Sequence, residues 1–421
     1  LFTRPGWAPG SPRWAGMMIE NMGRSHYRIF SPGTIAGLRL PNRLVRSATW
    51  DPCILTSRQM TEDVLTLYRN LALGGVGMII SGGFPVYRER FPDEEPGLAV
   101  RCYTDLRVNG LEQMAQIVHQ ACQECKIIAQ LEVGYLAAGP SSMPAHFSDE
   151  PVRELTAEEI EQIIACFVTA IADMQDAGFD GVQLHAAHGG LLSRFLSPYT
   201  NQRQDRYGGS AEKRARIVGE IVARAREQVG NYPLMIKVNC TDYLVGGIDI
   251  DNFPALAQEI VRAGVDAIEL SGGMWECLVR PEEELGFRPV PAPESHTRIR
   301  KPEQQSYFLK YAKKMDLPIP VILVGGNRDI ERLEAIVQGG TVDFIALCRP
   351  LIREPHLPDR WRTGVGSHLA ECVSCNSCIY ALMIHPGMPE PGIVTCVCKN
   401  NKPLHQKAQQ WLVAWRKEQA G

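Results

Sequence analysis

The chain of 421 residues carries little net charge: 44 Lys and Arg stand against 47 Asp and Glu, a balance of −3 with histidine neutral. A basic face of the kind that tracks nucleic-acid phosphates is therefore not expected. No run of about eighteen apolar residues occurs, so no membrane-spanning helix is expected. The first residues, 1-LFTRPGWAPGSPRWAGMM-18, begin with Leu and lack both periodicity and the apolar centre of a secretory signal. Residues 1–24 read as a tail outside the fold, with Met17 or Met18 as a candidate start, and the expected location is the cytoplasm. No Gly-x-Gly-x-x-Gly opens a helix after the first strand, which removes the main support for a dinucleotide-binding open sheet. Cysteine, by contrast, is not scarce. Thirteen are present, and without a secretory signal they read as thiols or metal ligands, not disulfides.

Short apolar runs alternate with longer amphipathic ones. The strand candidates are 44–48, 76–81, 126–131, 181–185, 234–239, 267–271, 320–324 and 343–347. Helical patterns cover 61–72, 111–122, 156–178, 210–227, 251–264, 303–315 and 329–340. Thr156 with Glu159 is a capping box, and Ser210 is a cap without the box. Gly74, Gly75 and Gly77 follow a helix and read as its C-cap and a tight turn. Eight strands alternating with helices predict an α/β fold, a (β/α)8 TIM barrel over residues 25–365. Residues 366–421 read as a cysteine-rich extension with a C-terminal helix. An open doubly wound sheet is the alternative.

In a barrel the chemistry belongs at the C-terminal ends of the strands. Ser47, Ala48 and Thr49 stand there, as do Gly83, Gln130 and Ser271. The turns after strands seven and eight, 324-VGGNRD-329 and 347-LCRP-350, suit a phosphate. Gly325, Gly326 and Asn327 expose backbone N–H groups, and Cys348 is followed by the guanidinium of Arg349. Lys237 ends an apolar strand and needs an anionic partner, either a reduced flavin or Glu269. The fourth strand ends in His185 and His188. A single histidine there would most often be a hydrogen-bonded strand-end residue; a pair is placed like ligand-binding groups. Near the C-terminus, Cys372, Cys375 and Cys378 are spaced two residues apart, with Cys396 and Cys398 after a Pro-Gly-rich loop. That spacing suits an iron–sulfur cluster or zinc, with Cys396 as the expected fourth ligand. Cys53, Cys102, Cys122, Cys125, Cys166, Cys240 and Cys277 share no ligand spacing.

The run 185-HAAHGGLLSRFLSPYTNQRQDRYGGSAEKRAR-216 closely resembles the signature of the old yellow enzyme family of FMN-dependent oxidoreductases. The matching residues include His185, His188, Gly189, Phe195, Ser197, Pro198, Asn201, Arg203, Asp205, Tyr207 and Ser210. The resemblance extends from about Tyr27 to Lys402. It implies that the histidine pair binds a substrate oxygen, that Lys237 and Gln130 meet the flavin ring, and that Ser47, Ala48 and Thr49 lie against it. It places the FMN phosphate on Gly325, Gly326, Asn327, Cys348 and Arg349. The family's tyrosine, its usual proton donor to the substrate carbon, is Gly190 here. Tyr135, Tyr199, Tyr243 or water are the candidate replacements. Trp50 stands where Thr or Cys often tunes the flavin. The cysteine pattern resembles the [4Fe–4S] site of the dienoyl-CoA reductase and trimethylamine dehydrogenase branch. In that branch a nucleotide-binding module follows; here the expectation is that NAD(P)H delivers hydride directly or through a partner.

The resemblance implies that NAD(P)H reduces FMN, which passes hydride to the activated alkene of a small α,β-unsaturated carbonyl compound. Three alternatives stand beside this: an amine dehydrogenase with an iron–sulfur outlet, a phosphosugar lyase or isomerase with Lys237 as Schiff base, and a zinc-stabilised barrel without catalysis. A homo-oligomer is compatible with the helical outer faces of a barrel, which pair in many ways.

Overall fold

The structure is a computed structural model that describes residues 23–51, 60–89, 100–102, 110–134, 138–143, 151–289, 292–383 and 393–419. For 87–89, 100–102, 381–383 and 413–419 it describes the backbone alone. Tyr135 and Cys53 lie outside the described residues.

Eight parallel strands close into a barrel: β1 (Leu44–Arg46), β2 (Met78–Pro85), β3 (Lys126–Glu132), β4 (Gly181–Ala186), β5 (Leu234–Asn239), β6 (Ala267–Ser271), β7 (Val321–Leu323) and β8 (Phe344–Leu347). Each strand pairs with its sequence neighbours, and β8 pairs with β1 to complete the ring. Closure rules out the open doubly wound sheet. The strands are short, apolar and buried, as strands covered on both faces must be. Helices cover the outside, among them α1 (Glu62–Leu73), α2 (Leu111–Ala121), α3 (Ala157–Asp176), α4 (Ala211–Val229) and α5 (Phe253–Arg262). Their caps are those the sequence signals. Thr156 and Glu159 form a complete capping box, and the Ser210 hydroxyl accepts from Lys213 N–H. Gly74 ends α1, and Gly75 follows with φ +85°.

Two cores result. The larger lies between strands and helices. The smaller fills the N-terminal half of the barrel with Val45, Met78, Ile80, Ile128, Met235, Ile322 and Phe344. A hairpin of Gly33–Ile35 with Leu38–Leu40 contributes Ile35 and Leu40 to that inner cluster and so closes the barrel floor. The floor is apolar; the polar chemistry is left to the other end.

The expected helix over 303–315 is replaced by a single 3-10 turn, Pro302–Gln304, and a four-residue helix, Leu309–Ala312. Tertiary hydrogen bonds break it. Ser306 takes φ +52°, its hydroxyl donates to Asn327 Oδ1 at 2.9 Å, and Tyr307 N–H donates to Gly325 O at 3.2 Å. The turn after β7 thus claims this segment against its helical propensity. Gly23 and Arg24, expected in the tail, belong to the fold: Arg24 is ion-paired with Glu331 at 2.8 Å. At the other boundary, Ala370 N–H donates to Arg328 O, which ties the extension to the turn after β7. Cys166 is disulfide-bonded, so the expectation of thiols and metal ligands alone fails there. No helix among the described residues is long and apolar enough to cross a membrane.

Candidate active site

Strand register builds the site. Side chains in a strand alternate between faces, and the pairing sets Gln130 beside Gln183, His185 beside Lys237, and Lys237 beside Glu269. These polar side chains form a continuous buried chain inside the barrel. Gln130 Nε2 donates to Gln183 Oε1 at 2.8 Å, and Gln183 Nε2 donates to Glu269 Oε2 at 2.8 Å. Ser47 Oγ donates to Glu269 Oε1 at 2.6 Å, and Lys237 Nζ donates to Ser47 Oγ at 2.9 Å. Lys237 Nζ also lies 3.2 Å from Glu269 Oε1, with Glu269 fully buried. The two partners raised for Lys237, a flavin and Glu269, are therefore not exclusive. Glu269 neutralises the cation within the protein, while Lys237 and Gln130 still line the cavity above.

That cavity has a volume of about 500 Å³ and opens at the C-terminal end of the strands. The residues expected to hold the cofactor and the substrate oxygen line it: Ser47, Ala48, Thr49, Gly83, Gln130, Lys237, Gly325, Gly326, Asn327, Cys348 and Arg349, together with His185 and His188.

The histidine rings stand 5.1 Å apart between centroids. His188 has φ +59°, rare for a residue with a side chain. Asn239 holds this strained turn by accepting from His188 N–H at 3.1 Å, and His188 Nε2 meets Ser271 Oγ at 2.6 Å. His185 Nδ1 is buried with no partner among the described residues. Burial first, and the Lys237 cation second, lower the His185 pKa to about 3; burial, His185 and Lys237 hold His188 well below its ordinary value. Both rings are therefore neutral imidazoles at neutral pH, each with one N–H to donate.

Beyond His185, His188 and Gly190, the 185–216 signature does not line the cavity. Ser197 Oγ donates to Asp242 Oδ2 at 2.6 Å, and Asn201 Nδ2 donates to Phe195 O and Tyr207 O, each at 2.7 Å. Arg203 donates to Pro140 O and Leu155 O, and Arg214 to Leu196 O. These residues fasten the loop that carries the histidines.

The turns after β7 and β8 fit a phosphate. Gly325 and Gly326 take φ +105° and +73°, and a Cβ on Gly325 would lie 2.6 Å from the Tyr307 ring. Only glycine suits that place. Arg349 is buried and has no carboxylate partner among the described residues. Its Nη1 donates to His296 O and to Asn376 Oδ1. A buried guanidinium lacking a carboxylate is suited to an anionic ligand. Asn327 has a structural role beside the backbone N–H expected of it. Its side chain spans Leu323 O and Ala346 O, tying β7 to β8, so only its backbone is left for a ligand. The buried polar chain, the glycine turns and Arg349 together fit FMN.

The reading of the sequence missed Glu132, Gln183, Trp275 and Glu294. Glu132 ends β3 two residues beyond Gln130 and so shares its inward face; the period of two was the available signal. It lines the cavity, and burial alone pushes its carboxyl up to about 7. Trp275 packs its indole against Gly189 and, with Trp50, gives the cavity aromatic wall.

In the extension, Cys372, Cys375, Cys378, Cys396 and Cys398 line one cavity of about 20 Å³. The sulfurs of Cys375 and Cys398 and a ring nitrogen of His405 lie within 4.8 Å of one another. Cys396, the expected fourth ligand, lines the same cavity and also meets Arg353, with Nη1 to Sγ at 3.6 Å. Arg349, Ile352 and Cys372 line both this cavity and the large one.

The chain matches the NADH:flavin oxidoreductase / NADH oxidase family over residues 28–367. It is 33% identical over 364 residues to an NADH oxidase of Thermoanaerobacter brockii, covering 83% of this chain and 52% of that protein. It is 32% identical to a metal reductase of Desulforamulus reducens, over 83% of this chain and 50% of the relative. The chain thus spans about half the length of these relatives. An NADPH dehydrogenase of Geobacillus sp. (strain WCH70) is 32% identical, over 82% of this chain and 96% of the relative. Among solved structures, a 2-naphthoyl-CoA reductase in complex with 2-naphthoyl-CoA superposes with a TM-score of 0.73 at 25% identity, over 90% of this chain and 58% of that one. An old yellow enzyme homologue from Zymomonas mobilis shares the fold, with a TM-score of 0.61 at 22% identity over 80% of this chain and 93% of the other. The chain belongs to the NADH:flavin oxidoreductase / NADH oxidase family, the old yellow enzyme family whose histidine-pair signature it carries.

Proposed function

We propose that this chain is an FMN-dependent oxidoreductase that uses NAD(P)H to reduce the activated alkene of an α,β-unsaturated carbonyl compound. The carrying observation is the pair of neutral imidazoles at the end of β4, above the buried Lys237–Glu269 pair, in the cavity with the phosphate-suited turns. FMN, when bound, supplies hydride to the substrate's β-carbon. His185 and His188 hold the carbonyl oxygen and stabilise the negative charge that develops there. Ser271 and Asn239 fix His188, so this donor needs no rearrangement as charge builds. Lys237 and Gln130 serve the pyrimidine edge of the ring, and Arg349 with the backbone of Gly325 and Gly326 serves the phosphate. The aromatic wall of Trp50 and Trp275 suits a planar, conjugated acyl group. The likeness to a 2-naphthoyl-CoA reductase points the same way. The Schiff-base lyase reading loses support, because the Lys237 ammonium is paired with Glu269.

The test is an anaerobic spectrum of the purified protein before and after NADH or NADPH, followed by 2-cyclohexen-1-one. Flavin bands that bleach and then return with the enone are the expected result. A protein that takes up no FMN would sink the proposal.

A second reading rests on the wall shared by the two cavities. A metal centre held by Cys372, Cys375, Cys378 and Cys398 would lie beside the phosphate end of the flavin site, placed to pass electrons. Iron and zinc analysis with electron paramagnetic resonance of the reduced protein decides it. A metal-free protein that keeps its activity would remove it.

A further inference from the structure

We propose that Glu132 is the acid that protonates the substrate α-carbon, taking the place of the family tyrosine absent at Gly190. The inference rests on the enone reading of the site.

Gly190 and Glu132 are neighbours through the backbone. Leu191 N–H donates to Val133 O at 2.8 Å, so the residue after Gly190 is bonded to the residue after Glu132. A Cβ on Gly190 would lie 3.2 Å from Val133 O and 3.8 Å from the His185 ring. The end of β3 therefore borders the space a side chain at 190 would enter, beside His185. Glu132, His185, His188 and Gly190 all line the one cavity. The carboxyl group of Glu132 is held against Gly83 at the end of β2: a Cβ on Gly83 would fall 2.4 Å from the carboxyl carbon. The bare glycine gives the acid its room. No cation or hydrogen-bond donor engages the carboxyl group among the described residues, and burial favours its protonated form.

Among the described tyrosines, Tyr199 and Tyr243 do not line the cavity. Tyr243 Oη instead meets His296 Nε2 at 3.1 Å. Tyr307 does line the cavity, but its hydroxyl donates to Glu294 O at 2.8 Å. Glu132 is the inward-facing acid rooted beside the vacant position.

A hydride, drawn from the nicotinamide, bonds to the β-carbon as the alkene pair shifts to join the α-carbon to the carbonyl carbon and the carbonyl pair moves onto the oxygen at His185 and His188. The electron pair then returns to re-form the carbonyl while the α-carbon takes the Glu132 proton. The carboxylate left behind recovers a proton from water.

Stopped-flow measurement of Glu132→Gln tests this in two halves. Bleaching by NADPH or NADH should stay within a few-fold of the parent. Reoxidation by 2-cyclohexen-1-one should fall by about 10²-fold or more, the usual contribution of a general acid. An independent readout is the infrared spectrum of the flavin-free protein at pH 6. The carbonyl band of a protonated carboxyl group should be present in the parent and lost in E132Q. Normal bleaching with reoxidation within about three-fold of the parent would overturn the role of Glu132 and leave the enone reading standing. Reoxidation by enone absent from the parent itself would overturn the enone reading and this inference with it. Should E132Q not retain flavin, the same comparison is made with Glu132→Ala; an unchanged infrared band in either variant also overturns the proposal.

Discussion

The barrel mouth and the cysteine extension both gather reactive side chains, but on different scaffolds. At the mouth, Gln130, His185, Lys237 and Glu269 come from four different strands, and Ser47 follows directly after a fifth. Strand pairing sets their mutual positions, residue against residue. In the extension, the cysteines sit on short helices and turns, Ser377–Met383 and Val397–Asn400, joined by a segment outside the described residues. A rigid sheet holds polar groups at hydrogen-bond distance before any ligand arrives. Short helices leave the donor set to be decided by the ligand. The mouth should therefore behave as a pre-formed site with costly internal parts, the extension as a site whose order depends on what it binds.

The largest effect should come from breaking the buried pair at the mouth. Lys237→Met strands the Glu269 carboxylate, which is fully buried. Removing one partner of a buried pair costs about 3–5 kcal/mol. Chemical denaturation of the flavin-free protein should show that loss. The double variant K237M/E269Q should recover much of it, because a neutral amide can stay hydrogen-bonded to Ser47 and Gln183. No recovery would mean that Lys237 stabilises the mouth through packing and not through charge.

Next in size is the histidine pair. Loss of one donor to a developing oxyanion costs about 10²–10³-fold in rate. His185→Ala and His188→Ala should each slow reoxidation by enone to that degree and leave bleaching by nicotinamide largely intact. With the His185 pKa lowered to about 3, imidazole protonation should add no slope to the enone step between pH 5 and 8. A slope that vanishes in the alanine variants would show that an imidazolium takes part.

The acid at the end of β3 gives a smaller, pH-dependent effect. Burial raises the Glu132 pKa from 4.5 to about 7 in the folded protein. The folded state then holds a proton that the unfolded state releases. Its stabilisation is full below pH 4.5 and is lost as the pH rises through 7. Across that window the parent should lose about 1–3 kcal/mol that Glu132→Gln keeps, once the partial exposure of the group to the cavity is allowed for. Thermal melts of the flavin-free pair at pH 5 and pH 8 give the difference. Parallel pH profiles would place the carboxyl near its ordinary value.

The same contrast explains what could be read from the chain. Strands Leu234–Asn239 and Ala267–Ser271 fall where the apolar runs put them, because burial on both faces leaves a plain signal. The histidines, Lys237 and the glycine turns followed, since a barrel places chemistry at strand ends. Within the strands the signal was present but unread. Gln130 and Glu132 are two apart and must share a face, as must Gln183 and His185. The 303–315 segment was not legible by its own pattern, because Gly325 and Asn327, far along the chain, decide its conformation. The role of Asn327 was masked for the same reason: a residue in a ligand turn can spend its side chain on neighbouring strands. Spacing identified the cysteines as a set, but it carries no register by which to choose between Cys396 and Cys398.

That choice gives the smallest expected effect and the sharpest test of the extension. Cys398 lies against Cys375 and His405, whereas Cys396 meets the Arg353 guanidinium at 3.6 Å. His405 is itself held, with Nδ1 2.8 Å from Ser377 Oγ, which leaves Nε2 as its available donor atom. If the extension holds the proposed metal, Cys396→Ser should leave its content unchanged and shift stability by less than about 0.5 kcal/mol, as replacement of a weak, partly exposed contact does. Cys398→Ser should lose the metal from protein purified without oxygen. If Cys396→Ser loses the metal and Cys398→Ser keeps it, the ligand set is the one that spacing alone suggests, and binding rearranges the turn that now holds Cys396 at Arg353. If both variants keep it, three thiolates and His405 suffice, and the extension tolerates a donor exchange that the barrel mouth, fixed by strand pairing, does not.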